Sequence, residues 1–158
     1  MNVEPEEIEL DYPIPQTDDA VLILPLAKSI EYKQKKCVLY AETTLAMLKI
    51  LRTNGIGTNL AYGNIDEIVY RENRSIDWFA PALLFVGTAI SQNPDLVSIT
   101  LNVISSYLYD IFKGKKDDPN VHCKFAVQAE GGEIKSIKYE GPVSGLMGIS
   151  PIIQEMTK

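Results

Sequence analysis

The single histidine of this chain, His122, stands next to one of its two cysteines, Cys123. A thiol beside an imidazole suggests two chemistries, metal ligation and a base-assisted nucleophile. Their placement argues against both. Neighbours on a strand point to opposite faces, so the two side chains diverge. There is no Cys-x-x-Cys, and Cys37 is the one further thiol. A zinc site would need at least two more ligands from carboxylates or from Cys37. The sequence predicts a surface histidine beside a buried cysteine, with no metal.

Other chemistries fare no better. A Ser-His-Asp arrangement would have to use His122, and the stretch Pro142, Val143, Ser144, Gly145 lacks the glycine two residues before its serine that a nucleophile elbow requires. Cys37 with His122 would make a Cys-His pair, which no spacing supports. Adjacent Asp66 and Glu67 have the residue types of a general acid and base, but paired carboxylates usually decorate a turn. Gly55-x-Gly57 lacks the third glycine of a dinucleotide fingerprint, and Gly-Lys-Ser/Thr is absent. The expectation is a protein without catalytic residues and without a cofactor.

Charge is unevenly spread. Of 21 acidic residues, seven (Glu4, Glu6, Glu7, Glu9, Asp11, Asp18, Asp19) lie in the first 19 positions, where there is no Lys or Arg. The remaining 14 face 15 basic residues, so the net charge of −6 sits in this arm. Residues 1–19 are expected to form an acidic flexible arm, and 20–158 a single α+β domain. A near-neutral body argues against nucleic acid, whose binders carry surplus Lys and Arg. The short basic cluster Lys28, Lys33, Lys35, Lys36 could instead dock the arm. Two cysteines do not make a disulfide framework, and the first residues lack the basic and apolar regions of a secretory signal; both point to a reducing cytoplasm.

The elements follow from pattern. Residues 20–26 (AVLILPL) read as a buried strand, with Pro25 placing it near a sheet edge or at a bulge. Residues 28–36 are polar, and 37–41 suit a strand or the lead-in to a helix. A helix is predicted over 43–54, stopped by Gly55. Residues 67–71 (EIVYR) suit a strand.

The apolar run 77–92 predicts a buried helix opened by Asp77 and Pro81. A second helix is expected from Asn93 and Pro94 to Lys113, ended by Gly114. On it Ser98, Asn102, Ser105, Tyr109 and Lys113 recur at three- and four-residue steps and share one weakly polar face. A solvated face carries more charge, so this one is the candidate interaction face. Neither helix meets the roughly 20 apolar residues of a bilayer span.

A β-hairpin is predicted within 121–140. A three-residue turn over 131–133 pairs Phe125 with Tyr139, Val127 with Ile137 and Lys124 with Glu140. Ser150 and Pro151 open a final helix to Met156. The fold class expected is α+β, a small mixed or antiparallel sheet with a C-terminal hairpin, packed against a central apolar helical pair.

Three stretches, 91–99 (SQNPDLVSI), 107–114 (YLYDIFKG) and 139–146 (YEGPVSGL), resemble small proteins of bacterial conflict systems, of the effector-associated constant component type. The resemblance covers mainly residues 76–146 and includes no active-site residue. It implies an adaptor or scaffold working through a protein partner or a homo-oligomer. Two alternatives stay open: a membrane-perturbing effector using 78–112, and a small enzyme with an unrecognised carboxylate site.

Overall fold

In a computed structural model the chain forms an α+β fold with two mixed sheets. The structure describes residues 2–6, 17–62, 68–72, 78–115, 119–129 and 133–157; for 2–6 and 27–29 it describes the backbone. The strands are β1 (Asn2–Glu6), β2 (Val21–Leu24), β3 (Ala27–Tyr32), β4 (Lys35–Ala41), β5 (Thr58–Leu60), β6 (Ile68–Arg71), β7 (Trp78–Phe79), β8 (Ala82–Phe85), β9 (Asn120–Gln128) and β10 (Ile134–Pro142). The helices are α1 (Thr44–Thr53), α2 (Gly87–Gln92), α3 (Leu96–Phe112) and α4 (Ser150–Glu155), with a 3-10 helix over Val143–Ile149 leading into α4.

The larger sheet runs β1-β10-β9-β8-β2-β5, and β7 also pairs with β9. Alternation along the hairpin assigns its faces. Val121, Cys123, Phe125 and Val127 on β9, with Ile137 and Tyr139 on β10, are buried on one face. Helix α3 covers that face with Val97, Leu101, Ile104 and Leu108, spaced at three and four residues as a helix stripe requires. Met47 and Leu51 of α1 and Leu146, Ile149 and Ile153 from the C-terminal helices complete the core. Leu22, Leu24, Leu84, Val86 and Ala126 form a smaller buried cluster. The hairpin thus packs with α3, the 3-10 helix and α4.

The run 77–92 departs from expectation. Of the helical pair, the second member is α3, while the first survives only as the short α2. The rest is β7 and β8, both parallel to β9. Pro81 has no N–H to donate, and it separates the two strands. Strand β8 lies between β2 and β9, with Leu83, Leu84 and Phe85 all buried. A strand buried on both faces reads as a continuous apolar run, the same text as a buried helix. Asp77 lies outside the described residues.

Two further elements differ in detail. Strand β2 lies between β8 and the edge strand β5, so it is near a sheet edge without being the edge itself, and Pro25 stands outside it. It follows the last residue of β2, before the chain enters β3 of the second sheet, β3-β4-β6. The polar stretch 28–36 is a hairpin, turning at Lys33 and Gln34 with φ of 49° and 66°. Two successive positive φ values are what a two-residue hairpin turn demands.

The C-terminal hairpin keeps the expected loop length but moves it one residue earlier. Ala129 N–H donates to Glu133 O at 2.7 Å, leaving 130–132 between them. Phe125 therefore faces Ile137 and not Tyr139, Val127 faces Lys135, and Lys124 faces Lys138 and not Glu140. The shift in pairing is two residues, which keeps each side chain on its face. The hydrophobic pattern is blind to such a shift. Within the expected acidic arm, Asn2–Glu6 pairs antiparallel with β10, from Asn2↔Glu140 to Glu6↔Ser136.

Candidate functional site

The expected interaction face lies along α3, and the helix divides it. Ser98 is half-buried, and its hydroxyl is 2.8 Å from that of Ser150, tying the start of α3 to the start of α4. Ser105 is 6% exposed, and its Oγ has no hydrogen-bond partner. Asn102, Tyr109 and Lys113 are exposed. The outward surface of the helix thus runs through Ile99, Asn102, Ser106, Tyr109 and Lys113. An orphaned buried hydroxyl costs its desolvation with no compensating bond. Ser105→Ala is therefore expected to leave stability unchanged or raise it by up to about 1 kcal/mol, read from a urea melt.

On α3, the 3-10 helix and α4 three large apolar side chains remain open to solvent. Ile99 is 43% exposed, Met147 39% and Ile152 41%. Tyr109, further along α3, is 42% exposed. Tyr109 belongs to the face drawn from spacing; Ile99, Met147 and Ile152 carried no signal in the sequence, because helical spacing alone assigns apolar residues to core and surface alike.

A second feature occupies the sheet face opposite α3. There His122 and Lys124 of β9 stand beside Lys138 and Glu140 of β10. The His122 ring lies on Phe79, centroids 4.1 Å apart and planes 4° from parallel. Its Nδ1 is 3.4 Å from Glu140 Oε1, and Lys138 Nζ reaches the same oxygen at 2.9 Å. A hydrogen bond from Lys138 is the main reason the Glu140 carboxyl is held below the ordinary range; the Lys138 charge and His122 add to it, against some desolvation. A carboxylate with a lowered folded pKa contributes stability above its unfolded pKa and loses it as pH falls through the folded value. Lys138→Met is expected to raise the Glu140 pKa toward its ordinary value, which a carboxyl-carbon NMR titration reads directly.

These residues line a cleft of ≈410 Å³ with Phe79, Ala80 and Ala82 on one side and Leu26, Ala41, Glu42 and Arg71 of the smaller sheet's strands and ends on the other. His122 is thus half-buried, with its side chain 19% exposed, and is not the open surface histidine expected. Cys123 does diverge from it into the core, where burial pushes its thiol up to about 12. A protonated buried thiol is a poor nucleophile. Among the described residues no serine or threonine lines the cleft. Among the described residues no group of three or more His, Cys, Asp or Glu is placed to hold a metal ion.

The other candidates are scattered. Asp66 and Glu67 lie outside the described residues. Cys37 is buried on β4, its Sγ 3.8 Å from Lys35 O. Lys33, Lys35 and Lys36 are exposed around the β3–β4 turn, with Lys33 Nζ 5.4 Å from the Tyr32 ring centre. Among the described residues no helix is long and apolar enough to cross a membrane. No family model, curated protein or solved structure matches the chain.

Proposed function

We propose that this protein is a non-catalytic adaptor or scaffold that works by protein–protein contact, through the joined face of α3, the 3-10 helix and α4. The observation that carries this reading is that Ile99 of α3, Met147 of the 3-10 helix and Ile152 of α4 are each about two-fifths exposed, on elements of which α3 and α4 are joined by the Ser98–Ser150 hydrogen bond. Single exposed apolar residues are ordinary, but one on each of three elements that pack on one another favours a partner surface. Asn102, Tyr109 and Lys113 extend that surface along α3 and supply the polar rim and aromatic anchor common at interfaces. The partner is a larger protein or further copies of this chain. The setting implied by the resemblance is bacterial defence.

Affinity purification from the native host tests this. The wild-type chain should bring down a stoichiometric protein or further copies of itself. The double variant Ile99→Lys, Ile152→Lys should lose that partner while melting like the wild type. A wild-type chain recovered alone, or a variant that keeps its partner, would count against the reading.

A further inference from the structure

A separate feature lies at the β1 end of the larger sheet, where β1 is the outermost of the described strands. We propose that this edge is built to stay closed: β1 caps β10, and Pro5 and Pro142 keep a second copy of this chain from adding its own strand there.

The hairpin fixes which way each backbone group points. Ala129 N–H donates to Glu133 O at 2.7 Å, and Val143 N–H donates to Pro119 O at 3.1 Å. Both pairs are in register with the β9–β10 ladder. In an antiparallel pair, opposed residues exchange hydrogen bonds at every second position. The odd-numbered residues of β10 therefore turn their N–H and C=O groups toward β9, and the even-numbered ones turn theirs toward β1. Glu140, Lys138 and Ser136 face Asn2, Glu4 and Glu6 in this way. Val3 and Pro5 are left with their backbone groups pointing away from the sheet.

Pro5 thus stands where a missing N–H costs β1 no ladder bond and removes a donor from the open side. Pro142 repeats the arrangement on β10, just past the stretch that β1 covers. Its missing N–H is on the outward, even-numbered side, and its C=O accepts from the Tyr139 hydroxyl at 2.6 Å. Moved by one residue, either proline would break the ladder it now leaves intact. Open strand edges are templates for further pairing, and proline and charge are the usual guards against it. When the β1 strands of two copies meet antiparallel by their outer sides, every hydrogen bond that needs a donor at position 5 is lost. A threonine at that position restores them.

The test is Pro5→Thr in the full chain, followed by sedimentation at concentrations up to about 1 mM. The variant and its parent both carry Ile99→Lys and Ile152→Lys, so that contact through the α3–α4 face does not enter. Salt of about 0.5 M screens repulsion between the acidic residues of the two copies. The parent should stay monomeric, and Pro5→Thr should dimerise, half complete at about 0.3 mM or below. Asn2→Thr raises strand propensity and leaves the outward groups as they are, so it should sediment as the parent does. Amide hydrogen exchange locates the contact: Val3 should exchange at least about ten times more slowly in the Pro5→Thr dimer than in the parent. A Pro5→Thr chain that sediments like its parent over the whole range would overturn the proposal. So would a dimer with no slowing at Val3, equal dimerisation of Asn2→Thr, or a parent already paired through Val3. With the α3–α4 face disabled in every chain, none of these results bears on partner capture.

Discussion

Phe125→Ala is expected to cost about 3–5 kcal/mol of folding stability, the usual range when a fully buried phenylalanine is cut to a methyl group. Phe125 is 1% exposed, lies on β9 between β8 and β10, and faces Phe85 across the pair with ring centres 6.2 Å apart. The ring opposes Ile137 on β10 and Leu83 on β8, so its loss opens a cavity at the junction of three strands. Small domains are held by only about 5–15 kcal/mol in all, so the variant should unfold at much lower urea. A melt within 1 kcal/mol of wild type, as about the error of such a comparison, would place this ring outside the core.

Gly87→Ala should be the next largest effect, a loss of about 1–3 kcal/mol. A β-carbon at Gly87 would stand 2.6 Å from the carbonyl oxygen of Gln128. That oxygen belongs to the backbone at the end of β9, so relief requires moving the strand or the start of α2. Gly148→Ala is the matched control, since nothing lies within 4 Å of the β-carbon it would add. The two alanine variants should therefore separate clearly in a urea or thermal melt. Equal stabilities would mean that α2 does not approach β9 this closely.

The sequence was legible where an element carries its own punctuation. Helix α1 ends before Gly55 and α3 before Gly114, and both glycines have φ near +80°. The strand expected over residues 67–71 appears as β6 through its described residues, Ile68–Arg71. Where two structures share one text, the reading failed. The apolar run 77–92 suits a buried strand and a buried helix equally, and Pro81 fits the first turn of a helix as well as a break between strands. The β3–β4 hairpin turns on Lys33 and Gln34, which lack the Asn-Gly or Asp-Gly signal that marks such turns. Loop position in the C-terminal hairpin was invisible because a two-residue shift preserves both faces.

The candidate sites divide in the same way. The stripe along α3 could be drawn from spacing, but how far each residue is exposed depends on α4 and the 3-10 helix, whose contact runs through Ser98 and Ser150. The cleft could not be drawn at all. It joins Glu42, Arg71, Phe79, His122 and Glu140, residues from separate segments that meet only after two sheets have formed. Its one local hint was His122 with Cys123, and the alternation of a strand correctly sends those two side chains apart.

The central claim, that the α3–α4 face meets a partner protein, is tested most directly by photocrosslinking in the native host. Tyr109 would be exchanged for p-benzoylphenylalanine, and in a parallel strain Lys49, exposed on α1, would be exchanged in the same way. The account predicts a discrete crosslinked species from position 109 and none from position 49. No crosslink at 109, or the same products from both positions, would contradict it.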